Sequence, residues 1–540
     1  MTTSIQAGDA TLVFLQPGIH YSVRCFNTTV TFLSGSCFIN GIRVIPGAVI
    51  DDLTSLDSQS RVSINATGNV ELTGSVREEI TSKCPEISCD LPITDEVGAV
   101  IKVELNSHDL SKISNSFLRS TYKRLWVDSK SPPLVKLDYF ELYASLAKAV
   151  TITSDWSSPL ADLRPSTVLR VAVCGPKNAG KSTLCKYLVN TLLSRSKSVL
   201  YLETDLGQSE VTPPGLVTLT LLKQPLFSPP YTNRPLFVRN LALSHPHGTS
   251  ESYCVGPVSP AQVMEEYISK LQVLVERAKR LCSEDVPLVI NNMGWTKGFG
   301  VALHADILRM AEPSHVFNLV TNSPKDLPPI MDVISTPGIS SEEEITPITP
   351  PQVINIPGYS SSEPVMQGQG FQPFELRHLS LLNYFSPIYG PQHNKILPPY
   401  RISWKHVAVV IPEETDNTLT AYTLNCSVVA LLTGPPNVLP DSDETIKVVE
   451  DDPAMKCLGL GIIRAVDVKS GVFFLNTPLD KQTLEQVFVF RHTSLPVPHL
   501  PSGILPMPYV SNLAASETLG MGSRSQRANL KRRYQAIAQN

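Results

Sequence analysis

At 540 residues the chain exceeds a single hydrophobic core, which stops growing at roughly 250 residues, and it is read as two to four domains. Its 42% hydrophobic and 17% charged residues are ordinary for a globular protein, and a formal net charge of −4 gives no global attraction to nucleic acid or to an anionic membrane, so any polyanion has to be held by local patches. No stretch reaches the ~18 apolar residues of a membrane span, the start MTTSIQAGDATLVF has no charged segment leading into an apolar run, and the cysteines, Cys84 and Cys89 included, lack paired zinc spacing; no membrane and a reducing compartment are expected.

Residues 1–92 are expected to form a β-rich N-terminal domain, because TLVFL, YSVRCF, VTFLSG, CFINGIRV, RVSIN and VELTG alternate apolar and polar residues between Gly, Pro, Asn and Asp. Residues 93–167 read as a mixed α/β connector, with a strand at AVIKVEL and a helix at FELYASLAKAV. Within it, LRSTYKRLW sets Arg119, Lys123 and Arg124 beside Tyr122 and Trp126, a pattern that suits single-stranded RNA and equally an amphipathic surface helix. Residues 168–322 alternate strands (VLRVAVC, SVLYLETD, PLVINNM, HVFNLV) with helices (KSTLCKYLVNTLLSR, AQVMEEYISKLQVLVERAKRLC), which implies an α/β core around a parallel, doubly wound sheet. The Pro-, Ser- and acid-rich run 323–370 reads as a disordered insertion, 371–392 as a lid helix carrying FELRHLSLLNYF, 393–510 as a β-rich C-terminal domain, and 511–540 as a basic tail around Lys531, Arg532 and Arg533. That tail fits RNA, a protein partner or an import receptor, and equally a solvated end.

The chemistry is concentrated at GPKNAGKST. Gly175, Pro176, Lys177, Asn178, Ala179, Gly180, Lys181, Ser182 and Thr183 match G-x4-GK[ST] between a strand and a helix, the P-loop pattern of NTPases. The glycines let backbone N–H groups curl around phosphates at a helix N-terminus, Lys181 offsets their charge and the Ser182 hydroxyl suits Mg²⁺. About twenty residues on, SVLYLETDLGQ supplies Glu203 and Asp205, suited to a metal shell or to taking a proton from an incoming hydroxyl, or merely capping a strand end. No N/T-K-x-D guanine motif and no LSGGQ-like motif occurs, which argues against a GTPase and a transport ATPase. His245 and His247 lack further ligands and read as a polar loop; His304 reads as a helix-surface or core histidine.

Five ordered blocks, GPKNAGKST, LETDLGQSEVTPPG, CVGPVSP, NNMGWTKGFG and GLGIIRAVDV, resemble the polynucleotide 5'-hydroxyl kinases, and TDLGQSEVTPPG is similar to their nucleolar, pre-ribosomal-RNA-processing branch. The resemblance implies a P-loop kinase core flanked by β-rich domains, ATP and Mg²⁺ as cofactors, and RNA with a 5'-hydroxyl end as acceptor. It also implies a complex with the endonuclease that cuts the second internal transcribed spacer, and a location in the nucleus and nucleolus. On the matching positions it implies that Lys181 and Ser182 keep the roles above, that Asp205 activates the 5'-hydroxyl, and that Glu203 and Gln208 organise metal or water. Gly294 and Trp295 match the clasp that touches the RNA end, where a base stacks on indole, although a core tryptophan has the same signature. Asn292 stands where the clasp has threonine, and Arg377 is the one lid arginine that fits, with a solvated helix charge as its alternative reading. An ATP-binding scaffold without turnover (the mRNA 3'-end and tRNA-splicing branch) and a small-molecule kinase also stay open.

Overall fold

Strands with alternating apolar residues have one face to bury, and the chain gathers them into three sheets. The computed structural model describes residues 3–7, 10–55, 62–67, 78, 82, 97–105, 133–137, 140–144, 152–163, 168–230, 248–339, 349–359, 372–388, 397–412, 415–435, 438–439 and 445–498. Cys84, Cys89, the LRSTYKRLW stretch, His245, His247 and the basic tail lie outside these residues.

The N-terminal sheet is antiparallel. It comprises β1 (Thr3–Ala7), β2 (Ala10–Leu15), β3 (His20–Gly35), β4 (Cys37–Ile39), β5 (Ile42–Val44), β6 (Val49–Ser55), β7 (Val62–Ala66), β8 (Ala99–Leu105), β9 (Val135–Leu137) and β10 (Phe140–Tyr143). YSVRCF and VTFLSG join in the single strand β3, and CFINGIRV is the β4–β5 hairpin. The expected connector 93–167 is not separate: β8 inserts between β2 and β3, and β10 pairs with β3. Its FEL segment, expected as a helix, is strand because Phe140 and Leu142 complete a core with Val23, Val30 and Val103, a tertiary contact that overrides local propensity.

The central sheet runs β14-β13-β12-β15-β11-β16-β17. Its strands are β11 (Arg170–Cys174), β12 (Val199–Glu203), β13 (Leu216–Leu222), β14 (Gly248–Cys254), β15 (Leu288–Asn291), β16 (His315–Val320) and β17 (Gln352–Pro357). β12, β15, β11, β16 and β17 are parallel, while β13 and β14 extend the β12 edge antiparallel. Alternate residues serve opposite faces. Val171, Val173, Tyr201 and Phe317 pack with Leu184 and Leu188 of one helix layer, whereas Ala172, Leu202, Ile290 and Val316 pack with Leu271, Leu274, Leu303 and Ile307 of the other. The helices are α1 (Ser154–Ala161), α2 (Lys181–Leu193), α3 (Met264–Leu281), α4 (Phe299–Ala311) and α5 (Ile330–Ser335).

The segment 323–370, expected as a disordered insertion, instead supplies both α5 and the edge strand β17. Proline and serine dilute its periodicity, yet Ile330, Val333, Ile334 and Ile356 are buried, and β16 provides the hydrogen-bonding edge that a lone short strand lacks.

The C-terminal sheet runs β18-β22-β21-β20-β23-β19, from β18 (Tyr400–Ser403), β19 (Ala408–Val410), β20 (Ser427–Leu432), β21 (Cys457–Asp467), β22 (Val472–Asn476) and β23 (Val489–His492). The expected lid helix is α6 (Pro373–Phe385), whose Leu381, Leu382 and Phe385 share a core with Ala430, Ile462 and the central-sheet residues Leu216 and Cys254. Tyr384 Oη donates to Leu460 O at 3.3 Å and accepts from Leu460 N at 2.7 Å, fixing the helix to β21. Among the described residues no helix is long and apolar enough to cross a membrane.

A buried ionic joint locks this third sheet to the central one. Arg491 donates to Cys254 O (2.7 Å) and pairs with Glu266 (2.8 Å) and Asp451 (3.2 Å). Lys270, 1% exposed at its side chain, donates to Cys254 O and pairs with Glu266 and Asp451. Breaking such a pair strands the remaining charges, so Arg491→Ala is expected to cost about 3–5 kcal/mol, read as a lower urea midpoint. An unchanged midpoint would mean that water reaches the joint.

Candidate active site

The P-loop leaves β11 at Cys174 and ends where α2 begins at Lys181. Gly180 sits at φ 99°, and a Cβ there would stand 3.0 Å from the Trp156 ring; glycine meets both the left-handed backbone and the close approach. Trp156, on α1, donates from Nε1 to Pro357 O at 2.8 Å, and Tyr359 N donates to Ala179 O at 2.9 Å. The loop is therefore bounded by α1 and by the end of β17. Lys181 is 8% exposed, and its Nζ donates to Pro176 O at 2.9 Å. Burial lowers its pKa, against the opposing pull of Asp205 and then of Cys174, Cys185 and Glu203. Lys177, Asn178 and Thr183 are exposed, and Ser182 is half-buried.

The carboxylates divide the work unequally. Glu203 is fully buried and accepts five hydrogen bonds from four residues: Tyr201 Oη at 3.2 Å, Asp205 N at 3.0 Å, Glu210 N at 3.2 Å, and Asn291 Nδ2 at 2.9 and 3.1 Å. Burial pushes it up to about 8, the Asp205 charge adds to this, and the hydrogen bonds from Asp205, Asn291 and Glu210 pull the other way. With both oxygens engaged by the protein, Glu203 shapes the loop and does not offer the open metal-binding edge expected of it. Asp205, at the half-buried turn beyond, has Oδ1 held by Gly207 N at 2.8 Å. Tyr267 Oη donates to Thr204 O at 2.8 Å, and Thr204 Oγ1 donates to Asn291 O at 2.9 Å, so the Asp205 loop is tied to α3 and β15.

The segment after β15 closes over the P-loop. A Cβ on Gly294 would lie 2.9 Å from Lys177 Cα and 3.0 Å from Lys181 Nζ. Trp295 is half-buried, with its indole beside Gly300 and against the core between β15 and α4. Asn292, expected to touch substrate, lies just beyond β15, is fully buried, and donates from its backbone N to Val173 O and from Nδ2 to Cys174 Sγ at 3.3 Å, which turns it into the sheet. Gln208 is exposed at the tip of the Asp205 loop. On α6, Arg377 is half-buried; burial lowers its pKa, and the charge of Asp205 acts on it in the opposite direction without forming a salt bridge among the described residues.

His304 lies within the core beneath the clasp, fully buried, near the Met293 and Trp295 backbone, and neither ring nitrogen has a hydrogen bond of normal geometry among the described residues. Burial, with Lys181 nearby, depresses it from 6.5 to about 3. The unfolded chain takes up a proton below pH 6.5 that the fold refuses, so this stability is present above 6.5 and is lost as pH falls from there towards 3. His304→Gln is expected to flatten the acid loss of stability between pH 7 and 4.5; parallel urea midpoints for both proteins would show the histidine to be proton-accessible.

The site thus brings Lys181, Ser182, Asp205, Gly294, Trp295 and Arg377 to the C-terminal ends of β11, β12 and β15, the place where open parallel sheets bind ligands. It leaves Asn292 in the core. Trp156, Asn291 and Tyr267 escaped the sequence reading: each acts through a partner distant in the chain, and only the paired asparagines closing the buried PLVINNM strand hinted at Asn291. Among the described residues no group of three or more His, Cys, Asp or Glu is placed to hold a metal; the donors suited to Mg²⁺ are Ser182 and Asp205, completed by phosphate oxygens, a set that suits that ion.

Residues 175–337 match the family described as mRNA cleavage and polyadenylation factor CLP1 P-loop, and residues 395–498 match the NOL9-like C-terminal domain. "Polynucleotide 5'-hydroxyl-kinase NOL9" of Danio rerio is 31% identical over 340 residues, which is 59% of this chain and 44% of that protein. The Homo sapiens protein of the same name is 25% identical over 544 residues, 90% of this chain and 74% of its own length. A Clp1p chain solved with Pcf11p aligns at TM-score 0.52 and 13% identity, covering 91% of this chain and 99% of that one, a likeness of fold. The chain is similar to the polynucleotide 5'-hydroxyl kinases named NOL9 and GRC3, and it has an α/β P-loop core between β-rich domains. Its match spans less than half of the Danio rerio relative.

Proposed function

We propose that the chain is an ATP-dependent polynucleotide 5'-hydroxyl kinase that phosphorylates RNA 5' ends during pre-ribosomal RNA processing. The observation that carries this reading is the buried Lys181 of the P-loop with the half-buried Asp205 at the end of the neighbouring strand, whose charge acts on both Lys181 and Arg377. Lys181 exchanges Pro176 O for a phosphate oxygen, and the loop N–H groups and α2 N-terminus hold the rest of the chain of phosphates. Asp205, its loop clamped through Glu203 and Thr204, takes the proton of the 5'-hydroxyl as that oxygen attacks the γ-phosphorus in line, the bond from the γ-phosphorus to the β,γ-bridging oxygen breaks and ADP leaves. Arg377 faces the charge that spreads over the transferring group. Ser182 and Asp205 are the residues that would hold Mg²⁺, which would supply charge neutralisation at the phosphates. Trp295 offers a face for the terminal base.

The similarity to NOL9 proteins supports the finer assignment: action on ends left by cleavage of the second internal transcribed spacer, a complex with the endonuclease that makes the cut, and a nucleolar location. A second reading, an ATP-retaining scaffold, is favoured by the likeness to a Clp1p chain that was solved in complex with Pcf11p. The deciding experiment supplies γ-labelled ATP, Mg²⁺ and a short 5'-hydroxyl RNA to the wild type and to Lys181→Ala. Label on the RNA, lost in the variant, is expected. No label from the wild type, with the endonuclease present and with DNA also offered, leaves the scaffold as the better account.

A further inference from the structure

Beyond Trp295 the chain makes a tight turn into the start of α4. Phe299 opens α4 with 62% of its surface exposed. A single exposed ring is ordinary by itself; what distinguishes this one is the cations placed around it. Lys297 lies two residues before it and is exposed, and the backbone between them is folded into a tight turn, with Gly300 N donating to Lys297 O at 3.0 Å and Val301 N to Gly298 O at 3.0 Å. Thr296 Oγ1 donates to Lys325 O, which brings the exposed Lys325 from the loop after β16 to the same stretch. Neither Lys297 nor Lys325 forms an ion pair or side-chain hydrogen bond among the described residues. The nearby carboxylate, Asp326, is spent within its own turn, accepting from Thr321 N, Thr321 Oγ1 and Ser323 N. This stretch therefore carries an exposed aromatic ring in the same turn as Lys297, with the Lys325 backbone tied to it through Thr296, directly after the Gly294–Trp295 segment that closes over the P-loop.

We propose that Phe299, Lys297 and Lys325 form a docking tract for the nucleotides that follow the terminal one, with a base stacked on the phenyl ring and the backbone phosphates beside the two lysines. The occupant is a single-stranded polynucleotide. Stacking faces suit any unpaired base, and ammonium groups flanking them suit the phosphates between bases; an acidic peptide would meet the charges but leave the ring without a partner. The tract lets a site that holds one 5'-terminal nucleotide select a chain over a free nucleotide. This rests on the kinase reading above.

The test compares two acceptors, a nucleoside 3'-phosphate and a five-nucleotide 5'-hydroxyl RNA, and follows binding separately by anisotropy of the same RNA labelled at its 3' end. Phe299→Ala is expected to raise KM for the five-nucleotide RNA about tenfold, with kcat retained and no change in KM for the nucleoside 3'-phosphate; Phe299→Trp restores the affinity. An RNA with abasic second and third positions binds the wild type as weakly as the intact RNA binds Phe299→Ala, and the two losses do not add. Lys297→Gln with Lys325→Gln lowers the salt dependence of RNA binding, log K against log[salt], by about 0.7 for each phosphate that no longer meets an ammonium group. Equal loss on both acceptors, no loss on either, or equal competition by poly-glutamate overturns the tract. If the wild type transfers phosphate to neither acceptor, the kinase reading fails, while the anisotropy series still decides whether single-stranded RNA lies on Phe299.

Discussion

Asp205→Asn is expected to lower phosphate transfer to a 5'-hydroxyl RNA by two to four orders of magnitude while the fold and ATP binding persist. The substitution is nearly isosteric, and the amide oxygen still accepts from Gly207 N, the 2.8 Å contact that shapes the turn. The turn also keeps its outside supports, because Asp205 N still donates to Glu203 and Tyr267 still holds Thr204. What disappears is a carboxylate able to take a proton, together with the negative charge that Arg377 and Lys181 both sense. Single-turnover rates at saturating ATP read the loss directly, and thermal unfolding verifies that the protein is intact. A loss of less than tenfold would remove Asp205 as the base and shift attention to a carboxylate outside the described residues.

The second large effect is expected from a single methyl group. Gly294→Ala places a Cβ 2.9 Å from Lys177 Cα, 3.0 Å from Lys177 N and 3.0 Å from Lys181 Nζ. The ammonium can swing aside, but the P-loop backbone cannot yield without carrying its N–H groups with it. Either adjustment moves a phosphate-binding group by a few tenths of an ångström or more, and misplacement near 1 Å costs about a hundredfold in rate. The variant is expected to lose about a hundredfold in kcat and to bind ATP more weakly, with circular dichroism unchanged. Wild-type ATP affinity and rate in Gly294→Ala would show that the clasp stands off the loop in solution, and that its glycine serves the RNA end alone.

These two residues mark what was legible in the amino-acid order and what was not. The P-loop is read from its letters because its function is local: backbone N–H groups, a lysine and a hydroxyl must follow one another within nine residues, and only certain residue types permit that path. Asp205 was legible for a similar reason, as an acid at the end of a buried strand. The parallel sheet was legible too, since VLYLE and LVIN are apolar on both faces and need helices on each side.

Partnership was not legible. AVIKVEL reads as a strand, but that β8 slots between β2 and β3 depends on partners such as Ala10 for Glu104 and Gly35 for Ala99, far away in the chain. Glu203 and Asp205 look equivalent in sequence; burial and the donors Tyr201, Glu210 and Asn291 turn the first into a clamp and leave the second at the surface of the site. The Pro- and Ser-rich run 323–370 carries too few apolar residues to announce a strand, and β17 exists because β16 offers it an edge. Arg377 acquires its meaning from the charge of Asp205, which reaches it because Tyr384 packs its helix onto β21. Motifs of consecutive residues encode backbone path and local chemistry, whereas charge state, burial and which side chains meet are properties of the packed chain, where free energies of contact and desolvation are set by neighbours that the order of letters leaves unspecified.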